Sequence, residues 1–256
     1  MVTFISSTFE EASVQQQNAL ASWRIAKVPY ILAGVTDDKG AQCSLSSIAT
    51  EATLGYPGNA PLLRSMILQA LPFVETPMVA IINADIIVEP DFLQKFDRVI
   101  DKYGADIFLT SVRRDTEWSK PIEDWDEFFK VPWKPHQDGS ADLFIADTAS
   151  FRNFAIDTGD FIYGRLAWDN WIHLYFQVRG KTRQGGPIPC FNSSEVLVAW
   201  HQKHGYDHVN AENFDQVKKD PAANHNCHLF GQSVIKIGRS LKDIIRVKQS
   251  FSEVVI

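Results

Sequence analysis

The sequence has few cysteines, and the three it contains form no recognisable pattern. They are far apart in the 256 residues and include no Cys-Xaa-Xaa-Cys pair: Cys43, Cys190 and Cys227. An odd number of widely spaced cysteines is typical neither of a disulfide framework nor of a zinc ribbon. We therefore expect a reducing compartment and a cytoplasmic location.

Clusters of basic residues and long apolar runs are also lacking. The formal net charge is −6, and no block of lysine or arginine stands out. A nucleic-acid groove or a polybasic membrane surface needs such a block, so we expect no nucleic-acid partner. No stretch reaches the roughly 18 apolar residues of a membrane helix, and the segment MVTFISSTFEEAS lacks the basic start of a signal peptide. We expect no integral membrane segment.

Apolar runs alternate with helical patterns in the first half of the chain. Strands are predicted at residues 2–6, 30–35, 78–88 and 105–112. Helices are predicted at residues 10–26, from Pro61 onward, and from Pro90 to a stop at Gly104. Strands separated by helices predict an α/β fold with a mainly parallel central sheet flanked by helices, whose ligands bind at the carboxyl ends of the strands.

The second half is less regular. The stretch RRDTEWSKPIEDWDEFFKVPWKPHQDGS has the character of an aromatic-rich loop with a short helix near residues 125–129. Further predictions are strands at 141–147 and 194–202, a helix at 164–178, and a C-terminal packing helix or partner-facing tail in KDIIRVKQSFSEVVI. Because no linker or repeat interrupts the chain, we predict a single domain over residues 1–256.

An acidic triplet lies inside an apolar run in AIINADIIVEP, residues 80–90. Burying an unpaired carboxylate costs several kcal/mol, so Asp85 is either a satisfied structural group or a ligand for a cation. Side chains two positions apart on a strand share a face, so Asn83 and Asp85 could address one ion or one ribose. The structural alternative is a strand-end turn in which Asp85 caps the following helix.

The stretch PLLRSMILQALPFVETPMVAIINADIIVEPDFL resembles the donor-site segment of GT-A glycosyltransferases. The resemblance implies a GT-A fold in which Asp85 is the main ligand of Mn²⁺ or Mg²⁺. The sequence departs from the Asp-Xaa-Asp motif at Asn83, whose amide can still hydrogen-bond a ribose hydroxyl.

The resemblance also assigns donor contacts elsewhere. Ser6 and Ser7 after the first strand and Asp37 after the second correspond to the base and ribose contacts, and Arg64 corresponds to an arginine that faces the donor. Each of these serines and aspartates could equally be an ordinary turn residue. On this view residues 1–112 bind the nucleotide sugar and residues 113–256 form the acceptor side.

The segment GRLAWDNWIH, residues 164–173, resembles the acidic acceptor-site motif of the same enzymes. The resemblance makes Asp169 the candidate base that removes the acceptor's proton. The alternative is a helix N-cap between two core tryptophans. Trp168 and Trp171 would form either an apolar face or a platform for a sugar ring.

The segment WHQKHGYDH, residues 200–208, follows no standard zinc spacing. In many GT-A enzymes a histidine late in the domain completes the metal or diphosphate site. We expect His201 first, because it lies near a strand end, and His204 second. The alternative is that they are solvated turn histidines.

These observations predict a metal-dependent glycosyltransferase, an enzyme that moves a sugar from a nucleotide-diphosphate donor to a hydroxyl acceptor, such as a glycan, with inversion. A sugar-phosphate nucleotidyltransferase is less favoured, because no glycine-rich loop follows the first strand. A non-catalytic glycan-binding or scaffold protein on the same fold remains the other alternative.

Overall fold

The computed structural model describes residues 1–7, 13–33, 44–45, 61–136, 141–204, 214–236 and 252–256. The strands are β1 (Val2–Ser7), β2 (Tyr30–Ala33), β3 (Ser44–Leu45), β4 (Met78–Ile82), β5 (Ile86–Ile87), β6 (Phe108–Thr116), β7 (Trp133–Pro135), β8 (Ala141–Asp147), β9 (Cys190–Asn192), β10 (Ala199–Gln202) and β11 (Ser252–Glu253). The helices are α1 (Val14–Ile25), α2 (Leu63–Ala70), α3 (Phe92–Tyr103), α4 (Trp125–Phe128), α5 (Thr148–Asp157), α6 (Trp168–Arg179), α7 (Phe214–Val217) and α8 (Pro221–Lys236), with a 3-10 helix at Leu71–Phe73.

The strands form one mainly parallel sheet, as the sequence predicts. Its main path runs β11-β9-β6-β8-β4-β1-β2-β3. Strand β1 pairs in parallel with both β2 and β4, whereas β8 is antiparallel to both of its neighbours, β4 and β6. Strand β10 lies off this path, between β5 and β6. An antiparallel strand within an otherwise parallel sheet is common in large α/β folds.

Helices cover both faces of the sheet. Helices α2, α5 and α6 contribute to the core on one face, and α1 and α3 to the core on the other. Successive residues of β4 show the division, because Val79 and Ile81 belong to the first core and Ala80 and Ile82 to the second. This alternation is the period of two expected for a strand that is buried on both faces.

The predicted β1-α1-β2 unit is confirmed, although its helix is shorter than expected. Ser13 caps α1, since its side chain accepts a hydrogen bond from the backbone N–H of Gln16 at 3.3 Å and the Gln16 side chain accepts one from the Ser13 N–H. This capping box satisfies two N–H groups that a helix end leaves unpaired, and α1 begins at Val14. Residues 10–12 of the predicted helix lie outside the described residues. Residues 34–35 of the predicted second strand lie outside the described residues.

The predicted strand at residues 78–88 is wrong, because the structure interrupts it. Strand β4 ends at Ile82, and the Asn83–Asp85 triplet forms a turn in which the Ile86 N–H donates to the Asn83 carbonyl at 3.1 Å. Strand β5 then leaves to pair antiparallel with β10. The apolar pattern hides this break, since both strands are buried.

Other bounds also differ from the predictions. Strand β6 extends past residue 112 to Thr116, and β10 covers only the end of the predicted 194–202 strand. The stretch after residue 113 is more regular than expected, because β7 pairs with the end of β6, while α4 matches the short predicted helix. In the C-terminal segment, predicted as a packing helix or a partner-facing tail, Ser252–Glu253 pairs with β9 and is not helical. Residues 242–251 of that segment lie outside the described residues.

Two helix starts are also shifted, while one stop is confirmed. Helices α2 and α3 begin at Leu63 and Phe92, so Pro61 and Pro90 precede them instead of occupying their first turns. Gly104 ends α3 with φ of 79°, a conformation that glycine adopts without strain. Within the described residues, no helix is both long and apolar enough to cross a bilayer.

Candidate metal and donor site

The turn that carries the acidic triplet is held by α1. The indole N–H of Trp23 donates to the Ile86 carbonyl at 2.8 Å, and the Val88 N–H donates to the Ser22 hydroxyl at 3.1 Å. Both helix residues are buried. Asp85 therefore projects from a turn whose far side is hydrogen-bonded to a packed helix.

The pairing of β10 brings a histidine to this turn. His201 is in register with Ile86 of β5 on one side and with Asp115 of β6 on the other. The imidazole of His201 lies between two carboxylates, with Nδ1 2.9 Å from Asp115 Oδ1 and Nε2 3.5 Å from Asp85 Oδ2 in the turn just before Ile86. Side chains at paired positions lie on the same face of a sheet.

Three potential ligands converge here. His204 Nε2 lies 3.0 Å and His201 Nε2 lies 3.5 Å from Asp85 Oδ2, and the potential ligand atoms of the three residues are all within 4.8 Å of one another. The other carboxylate oxygen, Asp85 Oδ1, is buried and has no hydrogen-bond partner among the described residues. A buried carboxylate oxygen without a partner is costly unless a further group binds it.

The contacts among these groups shift the pKa values of Asp85 and His201 in opposite directions. Burial alone would raise the pKa of the Asp85 carboxyl, but hydrogen bonds from His201 and His204 hold that pKa well below its usual value. Burial alone would lower the pKa of His201, but hydrogen bonds to Asp115 and Asp85 raise it to about 9. At neutral pH an anionic Asp85 therefore faces a protonated His201, and a metal ion would replace the proton on Nε2.

Arg113 links two further carboxylates next to the histidine. Its Nη1 donates to Asp142 Oδ2 at 2.9 Å, and its Nε lies 3.1 Å from Asp115 Oδ1. Burial would lower the pKa of Arg113, but the charges of Asp142, Asp115 and Asp85 raise it. The guanidinium therefore balances negative charge at the centre of the site.

Asn83 is held by the same network. Its side-chain Nδ2 donates to Asp142 Oδ1 at 2.8 Å. Because an ionised carboxylate only accepts hydrogen bonds, this contact determines the orientation of the amide. The remaining oxygen, Asn83 Oδ1, is buried without a hydrogen-bond partner among the described residues, and it is available to accept one from a ligand.

The carboxyl end of β1 lies beside this turn. Ser6 is fully buried, and its Oγ lies 3.4 Å from the hydroxyl oxygen of Tyr163, which itself donates to the Ile82 carbonyl at 2.6 Å. Ser7 is the last residue of β1 and is half-buried. Tyr163 thus connects the end of β1 to the residue that precedes Asn83.

The structure does not place the other two predicted donor-binding residues at this turn. Arg64, in the first turn of α2, forms an ion pair with Asp160 in which Nε and Oδ1 are 2.5 Å apart, and its side chain is 44% exposed. Asp37 lies outside the described residues.

Asp169 is in the first turn of α6, whose N-cap is Ala167, so Asp169 does not cap the helix as the structural alternative supposed. Its flanking tryptophans are core residues, each 4% exposed. The Trp168 ring packs 4.8 Å from that of Tyr163, and Trp171 stacks on Phe161 at 5.9 Å. They form the apolar face and not a sugar platform. Through Tyr163, the start of α6 is anchored near the end of β4.

Sequence reasoning missed four residues of the polar network: Arg113, Asp115, His136 and Asp142. Their contacts include the hydrogen bond from His136 Nδ1 to Asp115 Oδ2 at 2.6 Å. The sequence pattern predicts a loop at Arg113 and Asp115, but β6 continues to Thr116, and the spacing of two places both residues on one face of this strand. Asp142 is one of two acids in the strand predicted at residues 141–147, and nothing in the sequence distinguishes it as a site residue.

The three converging side chains fit a divalent cation. One carboxylate and two imidazoles supply one oxygen and two nitrogen ligands, and Asp85 Oδ1 has no other partner among the described residues. Imidazole ligands suit transition metals, whereas Mg²⁺ prefers an all-oxygen shell. Of the two expected ions, the ligand set therefore fits Mn²⁺ better than Mg²⁺.

Several solved structures match this chain at low sequence identity. The mannosyltransferase PcManGT from Pyrobaculum calidifontis, in complex with GDP-Man and Mn²⁺, gives a TM-score of 0.53 at 11% identity over 96% of this chain and 68% of that chain. S. aureus TarS in complex with UDP-GlcNAc gives 0.47 at 12% identity, over 94% of this chain and 77% of that chain. Glucosyl-3-phosphoglycerate synthase from Mycobacterium tuberculosis, in complex with Mg²⁺ and UDP, gives 0.45 at 13% identity, over 94% and 80%.

No protein-family model and no curated protein matches the sequence. The likeness to the mannosyltransferase is one of structure, and it extends over nearly the whole chain. Together with the mainly parallel sheet flanked by helices, it shows that this chain has the GT-A fold that its sequence predicts.

Proposed function

We propose that the protein is a metal-dependent glycosyltransferase that uses a nucleotide-diphosphate sugar. The observation that carries the proposal is the convergence of Asp85, His201 and His204 at the carboxyl ends of the strands, with one Asp85 oxygen left without a partner among the described residues. Open α/β sheets bind their ligands at this edge. The complex of the mannosyltransferase with GDP-Man and Mn²⁺ supports the choice of ligand class.

A Mn²⁺ ion held by Asp85, His201 and His204 would neutralise the negative charge that develops on the diphosphate leaving group. The protein's own groups would position the donor around it. Asn83 Oδ1 would accept a hydrogen bond from a donor hydroxyl, because its amide nitrogen is already bound to Asp142. Arg113 would hold the carboxylates of Asp115 and Asp142 close together through its two ion pairs.

The remaining donor contacts follow the resemblance. Ser7 and Asp37 would contact the base and ribose, and Ser6 would support them from its buried position at the end of β1. Arg64 would reach the donor only by exchanging its ion pair with Asp160. In this scheme residues 1–112 supply most of the donor site within a single domain. Residues 113–256 supply the acceptor side and the two histidines.

Asp169 would take the proton from the acceptor hydroxyl, and attack from the opposite side of the sugar would invert the anomeric centre. Asp169 is in the first turn of α6, where the helix N-terminus favours the ionised form of a carboxylate, the form that can accept a proton. A reducing, cytoplasmic setting is part of the proposal, since Cys190 and Cys227 are free thiols.

A thermal-shift screen tests the proposal directly. UDP-, GDP-, dTDP- and CMP-linked sugars are each tested with and without Mn²⁺ on the wild type and on Asp85→Ala. We expect one nucleotide class to raise the melting temperature, with a requirement for Mn²⁺ and no shift in Asp85→Ala, because a ligand that binds only the native state stabilises it. No shift with any donor would overturn the donor site and favour the scaffold alternative.

With the identified donor, turnover assays then test the base. Asp169→Asn should retain the thermal shift and lose most of the transfer, by about 100-fold or more. NMR of the product's anomeric carbon decides between inversion and retention. Normal turnover in Asp169→Asn would remove this residue from the mechanism.

A further inference from the structure

Asp115 is the hydrogen-bond partner of the histidine at the centre of the proposed metal site. Its Oδ1 accepts from His201 Nδ1 at 2.9 Å, while the opposite ring nitrogen, Nε2, faces Asp85. The pairing of β6 with β10 places these two residues directly across from each other. The contact is thus built into the sheet and does not depend on a flexible loop.

We propose that Asp115 is a positioning residue that presents Nε2 of His201 to the metal ion. The inference rests on the proposed function, because it concerns the same cation site. The two nitrogens of an imidazole are chemically distinct, and a carboxylate bound to one of them keeps a proton there and leaves the other to bind metal. It also holds the ring plane in one orientation.

Asp115 is itself restrained on both oxygens. Arg113 Nε lies 3.1 Å from Oδ1, and His136 Nδ1 donates to Oδ2 at 2.6 Å. These contacts stop the carboxylate from rotating away from His201. The Asp115 side chain is 24% exposed, so its hydrogen bonds are only partly open to competition from water.

A simpler explanation is that Asp115 attracts a cation through its charge alone. Two variants separate the explanations. Asp115→Ala removes both the charge and the acceptor. Asp115→Asn removes the charge but can keep an acceptor for His201, because the positive charge of Arg113, whose Nε lies 3.1 Å from the Oδ1 position, favours the amide oxygen there over the amide nitrogen. The amide nitrogen then faces His136, whose ring nitrogen can accept a hydrogen bond when neutral.

The experiment is a titration of metal-free protein with Mn²⁺, in which the EPR signal of free Mn²⁺ reports binding. The wild type, Asp115→Ala, Asp115→Asn and Asp85→Ala are compared, and metal-free melting temperatures check that each variant is folded. We expect Asp115→Ala to weaken Mn²⁺ binding about 10- to 100-fold, and Asp115→Asn by less than about threefold.

Each result is decisive. Equal losses in the two Asp115 variants would show that charge alone matters, and binding within about twofold of wild type in Asp115→Ala would show that the contact is only structural. Either result overturns this inference. The proposed function would still be supported if Asp85→Ala loses Mn²⁺ binding. If the wild type does not bind Mn²⁺, or Asp85→Ala binds it as well as wild type does, the metal site and this inference are both wrong.

Discussion

The strands β6 and β10 present two faces of opposite character. His201 pairs with Asp115 on one face, and the preceding residue, Trp200, pairs with Arg114 on the other. The first face carries the carboxylates and histidines of the proposed metal site. The second is aromatic: Trp200 is 3% exposed and packs against Phe128 at 5.7 Å.

The difference shows how one pair of strands separates support from chemistry. Successive side chains of a strand point to opposite faces, so neighbouring residues can belong to a packed core and to a polar site. The aromatic face excludes water and restrains the backbone. The polar face can then hold charged groups at hydrogen-bond distances. If this division is correct, substitutions on the two faces should have different consequences.

The largest effect on stability is expected on the aromatic face. Trp200→Ala should lower the free energy of unfolding by about 3–5 kcal/mol, because it leaves a cavity between Phe128 and Phe129. The matched variant Trp200→Phe should cost only about 1 kcal/mol, since the indole N–H has no hydrogen-bond partner among the described residues. Urea denaturation measures both. If Trp200→Phe lowered the free energy of unfolding as much as Trp200→Ala does, packing of the aromatic ring would not be the source of the stabilisation.

An intermediate effect is expected at the two adjacent arginines. Arg113→Met leaves the carboxylates of Asp115 and Asp142 without their cation and should cost roughly 2–3 kcal/mol, less than a fully buried pair because the site is partly exposed. Arg114→Met, on the aromatic face, should cost about 1 kcal/mol or less. It removes a stack on Trp133 at 4.1 Å and an ion pair with Glu195, whose side chain is 72% exposed.

The same variants also separate the faces by ligand binding. Arg113→Met should weaken the Mn²⁺-dependent thermal shift, whereas Arg114→Met should leave it unchanged. A loss of the shift in Arg114→Met alone would reverse the assignment of the two faces.

A smaller loss than that of Arg113→Met is expected at the edge of the polar face. Asn83→Asp would restore the acidic form of the motif, but it places a second carboxylate where the amide donates to Asp142 at 2.8 Å. We expect a loss of roughly 1–2 kcal/mol in metal-free buffer. The double variant Asn83→Asp with Asp142→Asn exchanges donor and acceptor and should recover most of that loss. Unfolding by urea with a chelator present tests this, and no recovery would contradict the proposed pairing.

Much of the fold was predictable, because burial dictates the apolar patterns of β1, β4 and β8. The break after Ile82 was not, since the apolar run continues through β5 and periodicity does not show where a strand leaves its sheet. The end of β6 was missed for the opposite reason. Its last residues carry the polar side chains of the site. A polar run of this kind predicts a loop, although here it continues the strand.

The proposed site was only partly visible in the sequence. Asp85, His201 and His204 were identifiable as polar groups near strand ends, yet Asp85 and His204 are 119 positions apart and only folding brings them together. Arg113, Asp115 and Asp142 carried no such signal. Their importance comes from the register of β6 against β8 and β10, which depends on long-range pairing.

The sequence by itself determined the class of fold and the residue types available for chemistry, because alternating apolar strands and helices bury their surfaces in few ways. Tertiary structure alone decided which atoms of those residues remain for a ligand. Asn83 presents its oxygen because Asp142 accepts from its nitrogen, and His201 presents Nε2 because Asp115 accepts from Nδ1. Such choices follow from hydrogen-bond partners that are distant in sequence, and only the packed sheet brings these partners into contact.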